Sequence, residues 1–87
     1  MTSDEVAAWM VDELARVKWL YQEQVVWDIE RKFGKEFTTT NEAGNVVIHP
    51  SVLRCFRRLT GDDVVWERGE RLWRRRAAYD APSRLQD

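Results

Sequence analysis

Apolar positions recur near the start of the chain with the period of a helix. Val6, Trp9, Met10, Leu14 and Val17 fall on one side, while Asp4, Asp12, Glu13 and Arg16 hold polar positions between them. Thr2 and Glu5 precede this run at the spacing of a capping box, with Ser3 as an alternative cap. The pattern predicts an amphipathic helix over about residues 3–17. After a short break around Lys18 to Tyr21, the stretch Gln22 to Phe33 places Val25, Val26, Ile29 and Phe33 on one side. It ends at Gly34, a residue free to adopt a left-handed C-terminal cap, so a second helix is expected.

The period then changes. Phe37-Thr38-Thr39-Thr40 and Val46-Val47-Ile48 are β-prone runs on either side of Asn41-Glu42-Ala43-Gly44-Asn45, which reads as a short hairpin. Pro50 suits the first turn of a helix, and Val52, Leu53, Cys55, Phe56 and Leu59 give that helix an apolar face before Gly61. Arg54, Arg57 and Arg58 centre almost opposite that face. Residues 64–75 read as two strands around Arg68-Gly69-Glu70, with Gly69 expected at positive φ. The competing reading is a helix from about Glu70 to Tyr79, because Trp66, Trp73 and Ala77 also match helical spacing. From Asp80 onward no periodicity remains, which divides the chain into a domain over 1–79 and a flexible tail over 80–87.

These elements make one compact α+β domain of three helices with short hairpins. Its 87 residues suffice for a single core, and 44% hydrophobic content with five Trp supports that core rather than disorder. Trp9, Trp19, Trp27, Trp66 and Trp73 are expected mostly inside, with one or two left at the surface as partner anchors. A single cysteine, Cys55, excludes an intrachain disulfide framework. The opening MTSDEVAAWM has neither a basic segment followed by an apolar stretch nor a bilayer-length apolar run, so a cytoplasmic protein without membrane contact is expected.

Charge sharpens the picture. The formal net charge of −1 conceals a split: residues 1–49 carry five Lys or Arg against nine acids, and residues 50–87 carry nine Arg against six acids. Arg54, Arg57, Arg58, Arg71, Arg74, Arg75 and Arg76, with Trp66 or Trp73 beside them, are candidates for one cationic surface that would contact phosphates. The alternative is internal pairing with Asp62, Asp63, Glu67 and Glu70, and a pI near 5.8 is low for a dedicated DNA binder.

Catalytic chemistry finds little to stand on. His49 precedes a proline, where helix entry is the commoner role, and Cys55 lies on an apolar helix face. One His and one Cys cannot assemble a zinc site of N/S ligands within the chain, and their spacing suggests no third orienting group. Asp28, Glu30 and Lys32 echo an acid…Glu-x-Lys nuclease signature but sit in a helical pattern, and the four glycines are too scattered for a phosphate loop. No enzyme, cofactor or metal is expected.

The order of three helices and a terminal hairpin resembles a winged helix-turn-helix, with residues 51–60 in the recognition position. It departs from that layout in the long link between the second and third helices. The run Leu20-Tyr21-Gln22, Phe33-Gly34, Asn41-Glu42-x-Gly44-Asn45, Val52-Leu53 and above all Val64-Val65-Trp66…Trp73-Arg74-x-Arg76 resembles a family of short bacterial proteins. That family is known as a domain of unknown function, with some members on mobile gene cassettes such as those of integrons. The resemblance implies a bacterial accessory protein and transfers no active-site residues. The leading expectation is a small binding module that contacts DNA without catalysis. The alternative is a protein-interaction or self-assembly module, such as a homodimer built on exposed Trp and Arg.

Overall fold

A computed structural model describes residues 1–86. The first helix, α1 (Ser3–Val17), is capped by Thr2, whose Oγ1 accepts from the Glu5 backbone N–H and donates to the Glu5 carboxylate. At its other end Lys18 takes φ 71° and donates its backbone N–H to Leu14, which turns the chain sharply into a strand, β1 (Leu20–Tyr21). The second helix, α2 (Gln22–Lys32), follows at once and ends where Phe33 and Gly34 both donate to the Ile29 carbonyl, with Gly34 at φ 104°. A 3-10 turn (Lys35–Phe37) leads into β2 (Thr38–Thr40).

β2 pairs antiparallel with β3 (Val46–Ile48) across the five-residue loop read from the sequence. Asn41 Oδ1 closes that loop by accepting from the Ala43 and Asn45 backbone N–H groups, and Gly44 sits at φ 86°. The third helix, α3 (Pro50–Thr60), starts on Pro50 and stops at Gly61, as expected, and His49 is its cap: Nδ1 accepts from the Ser51 backbone N–H at 3.1 Å. That bond gives the lone histidine a structural task at the helix entry.

Residues 64–75 form the expected hairpin, β4 (Val64–Glu67) and β5 (Leu72–Arg75), so the competing helix from Glu70 is excluded. The turn differs in one detail. Positive φ falls on Arg71 at 56°, not on Gly69, because Arg71 closes the loop by donating its N–H to Glu67 while its carbonyl accepts from Gln22. That second bond ties the turn to the start of α2, where β1 pairs antiparallel with β5 in the register Leu20↔Trp73 and Tyr21↔Leu72. Two residues were too few to announce β1 by alternation.

The segment after Asp80, read as a tail, turns back along the sheet as β6 (Leu85–Gln86), parallel to β4. The main sheet therefore runs β1-β5-β4-β6. The last position of that segment, Asp87, lies outside the described residues.

The core lies where α1 and α3 meet each other, the sheet and α2. Val6, Met10, Val25, Ile29, Ile48, Val52, Phe56 and Trp73 are among its buried members. Burying side chains of this size contributes about 1.5–3 kcal/mol each, which lets a chain of this length hold together. Trp9 packs edge-on against Phe33 and Phe56 edge-on against Trp73, at centroid distances of 5.6 and 5.5 Å. The class is α+β, as the hydrophobic pattern requires. Among the described residues no helix is long and apolar enough to cross a membrane.

Candidate functional site

The seven candidate arginines meet different fates. Arg74 is consumed. Its Nη1 and Nη2 donate to the Asp80 carboxylate at 2.8 and 2.7 Å and its Nε donates to Glu67, leaving the side chain 12% exposed. The fork of the guanidinium matches a carboxylate in this two-pronged way, so the pair is both strong and directional. Arg74 holds the Asp80 carboxyl down at about 2, assisted by the Ala77 backbone N–H, and the two carboxylates push the Arg74 guanidinium up.

Arg76 is committed to backbone carbonyls. It donates to Asp62, Ala81 and Ser83 at 2.6, 2.7 and 3.2 Å. Arg58 reaches from α3 to Asp4 on α1, an exposed ion pair linking the two packed helices. Arg54, Arg57, Arg71 and Arg75 are exposed and carry no side-chain ion pair or hydrogen bond among the described residues. They do not converge. Arg54 and Arg57 lie on the outer face of α3, Arg75 lines a shallow depression with Asp63 and Arg76, and Arg71 projects beside α2.

The tryptophans separate as sharply. Trp73 is a core residue, 5% exposed, and packs tilted against the half-buried Trp66 at a centroid distance of 4.6 Å. That places both indoles in the packing of the hairpin on α3. The exposed indoles are Trp19 and Trp27, at 58% and 57%, with Tyr21 at 49%.

Tyr21 and Trp27 line one depression of about 710 Å³ together with Glu23, Gln24, Glu70 and Arg71. A second hollow, bordered by Val26, Glu30, Asn45 and Val46, shares Glu23, Trp27 and Arg71 with the first. The two form a groove between α2, the β4–β5 turn and the β2–β3 hairpin. Its lining includes aromatic and aliphatic side chains, with Val46 itself 46% exposed. Among its lining residues three carboxylates, Glu23, Glu30 and Glu70, face one guanidinium, Arg71. Glu30 also accepts from Thr38 Oγ1 at 2.9 Å, which fixes its position, and the Arg31 guanidinium stacks 4.5 Å from the Trp27 ring centroid, stiffening the indole.

This groove was not singled out from the sequence, although a signal for it exists. Trp27 falls on the side of α2 away from the Val25–Val26–Ile29–Phe33 stripe, where an indole has no core to enter. Tyr21 follows the buried Leu20 in β1, whereas the exposed Trp19, just before that strand, lines a separate hollow with Lys18, Arg74 and Tyr79.

The Asp4 carboxylate, ahead of burial, pushes the Cys55 thiol upward, the reverse of the activation a nucleophilic thiolate needs. Asp28 is paired with Arg31 and Gln24 on α2. Among the described residues no group of three or more His, Cys, Asp or Glu is placed to hold a metal ion.

Residues 2–75 match a family of unknown function (DUF6953), and the chain belongs to that family. The match takes in α1 to β5 and stops before the segment that forms β6. No curated protein and no solved structure matches the chain.

Proposed function

We propose that this member of the family is a non-enzymatic binding module that holds a partner polypeptide in the groove of Tyr21, Trp27 and Arg71. The observation that carries this reading is the exposure of Tyr21 and Trp27 inside a concavity rimmed by charge. Aromatic side chains on a rigid scaffold supply large contact area at low entropic cost, and binding hot spots are built from them. The charge of the rim selects the partner. Three carboxylates against one guanidinium repel a phosphate backbone and attract a segment that carries an apolar anchor flanked by Lys or Arg.

The test is a selection of displayed random peptides on the wild-type protein, counter-selected on Trp27→Ala. Peptides that bind in the micromolar range, carry basic flanks and lose at least 10-fold affinity on Trp27→Ala support the reading. Binders indifferent to Trp27 and Tyr21 would refute it.

A second reading, contact with nucleic acid, keeps one observation in its favour. Arg54, Arg57 and Arg58 are all exposed on α3, the helix that the sequence resemblance to a winged helix-turn-helix would put in the recognition position. Each phosphate contact changes the slope of log affinity against log salt by about 0.9. If this face binds duplex DNA, replacing the three arginines with alanine flattens that slope. An unchanged slope removes the face from consideration.

A further inference from the structure

The C-terminal end of α3 is a receptor for a guanidinium, and in this chain its own Arg84 fills it. Arg84 Nη1 donates to Thr60 Oγ1, the Gly61 carbonyl and the Val64 carbonyl at 3.2, 3.1 and 3.3 Å. The guanidinium carbon sits 5.7 Å from the Phe56 ring centroid. Thr60 is buried and anchored by donating to the Phe56 carbonyl, so the receptor is built by the fold and does not depend on its occupant. Oxygens at a helix C-terminus carry the negative end of the helix dipole, and an aromatic face adds a second attraction for a cation.

The occupant arrives as a strand. The Trp66 and Arg68 backbone N–H groups on the outer edge of β4 donate to the Arg84 and Gln86 carbonyls at 2.8 and 2.9 Å. Beside this edge runs a cleft of about 350 Å³ lined by Leu53, Phe56, Arg57, Trp66, Arg84 and Leu85, among others. The segment leaves Leu85 51% exposed, and burial, ahead of the neighbouring Arg57 and Arg76, works against the Arg84 charge while Asp62 favours it. This segment also lies beyond the family match, which closes at residue 75. An unpaired strand edge is a template for an added strand, and a backbone ladder with one specifying side-chain receptor is a recurring way to bind extended peptides.

We propose that the β4 edge and the α3 C-terminus form a binding site for an extended, arginine-bearing segment of a partner protein, laid parallel to β4, and that residues 84–86 occupy it in cis until displaced. The site is separate from the Tyr21–Trp27 groove and stands without it. Tethering sets the competition: a short connection holds the segment at an effective concentration on the order of millimolar, so a partner must exceed that to enter.

The test uses full-length protein and a fluorescein-labelled peptide of residues 79–86 as the probe for trans binding. Arg84→Ala, which empties the receptor, is expected to bind the probe at least 10-fold more tightly than wild type, and a probe with its arginine changed to alanine loses that binding. An Arg84→Ala protein that keeps its circular dichroism yet ignores the probe, or binds both probes alike, overturns the proposal. A measurement on wild type guards against loss of folding in the variant. The Trp66 and Arg68 amides are expected to exchange hydrogen at least 10-fold faster than amides paired between β4 and β5, and unlabelled peptide at millimolar concentration slows them. Exchange as slow as that of the β4–β5 ladder would mean that β6 opens only with the whole fold, and would end the proposal. A larger particle in light scattering of wild type, dissolved by the peptide, would identify a second copy as the source of the segment and would overturn the assignment to a different partner.

Discussion

Trp73 and Trp27 are the same residue in opposite circumstances. Trp73 is packed between Phe56 and Trp66 on the inner face of the hairpin, while Trp27 stands on α2 more than half exposed beside Tyr21. The first holds the domain together, and the second lies at the surface with the Arg31 guanidinium against its ring. The arginines repeat the division: Arg74 is locked between Glu67 and Asp80, whereas Arg54 and Arg57 face solvent. In this molecule the most conspicuous sequence block, residues 64–76, is largely architecture, and only Glu70 and Arg71 at its turn line the groove beside Tyr21 and Trp27.

Truncating each indole breaks the comparison most directly. Trp73→Ala empties a core site and is expected to cost about 3–5 kcal/mol, a large share of the stability of a small domain, measured by urea unfolding. Trp27→Ala is expected to stay within about 0.5 kcal/mol of wild type, because a surface indole away from caps and cores contributes little to folding. A large loss for Trp27→Ala would make it a packing residue and remove the groove.

The arginines offer the next contrast. Arg74→Ala leaves the Asp80 carboxylate and Glu67 without their partner and is expected to lower the unfolding midpoint well beyond Arg54→Ala or Arg75→Ala, which should fall near wild type. Equal effects would show that the Arg74 cluster is no more than surface pairing.

The same cluster gives a pH signature. The Asp80 carboxyl is held at about 2 against an ordinary value of 3.8, so the stability it contributes is complete above about pH 4 and is lost as pH falls towards 2. Asp80→Asn should therefore flatten the dependence of the urea midpoint in that window and leave its shape above pH 5 unchanged. An unaltered acid limb would place the titration elsewhere.

The smallest effect belongs to the exposed Arg58–Asp4 pair. A double-mutant cycle with Arg58→Ala and Asp4→Ala should give a coupling of about 0–1 kcal/mol that fades with added salt.

Where periodicity was long, the sequence was readable. The stripes of α1, α2 and α3 and the turn chemistry of Asn41–Asn45 and Gly61 carried their elements to within a residue or two. What escaped was set by contacts distant in the chain. β1 exists because β5 and the Gln22–Arg71 bond hold it, and β6 because β4 has an open edge. The pairing of Arg74 with Glu67 lay within the alternative of internal pairing read from the sequence, but its contact with Asp80 did not, since Asp80 sits in a segment without any pattern. Arg71, by contrast, lies where the groove needs it, among residues that sequence spacing did not connect.

The most direct measurement is a peptide-display selection on wild type run in parallel with Trp27→Ala and with the triple variant Arg54→Ala, Arg57→Ala and Arg58→Ala. Basic-flanked apolar peptides that bind wild type and the triple variant alike, and lose at least 10-fold on Trp27→Ala, are the expected result. Peptides that depend on the α3 arginines and not on Trp27 would contradict the assignment of the groove.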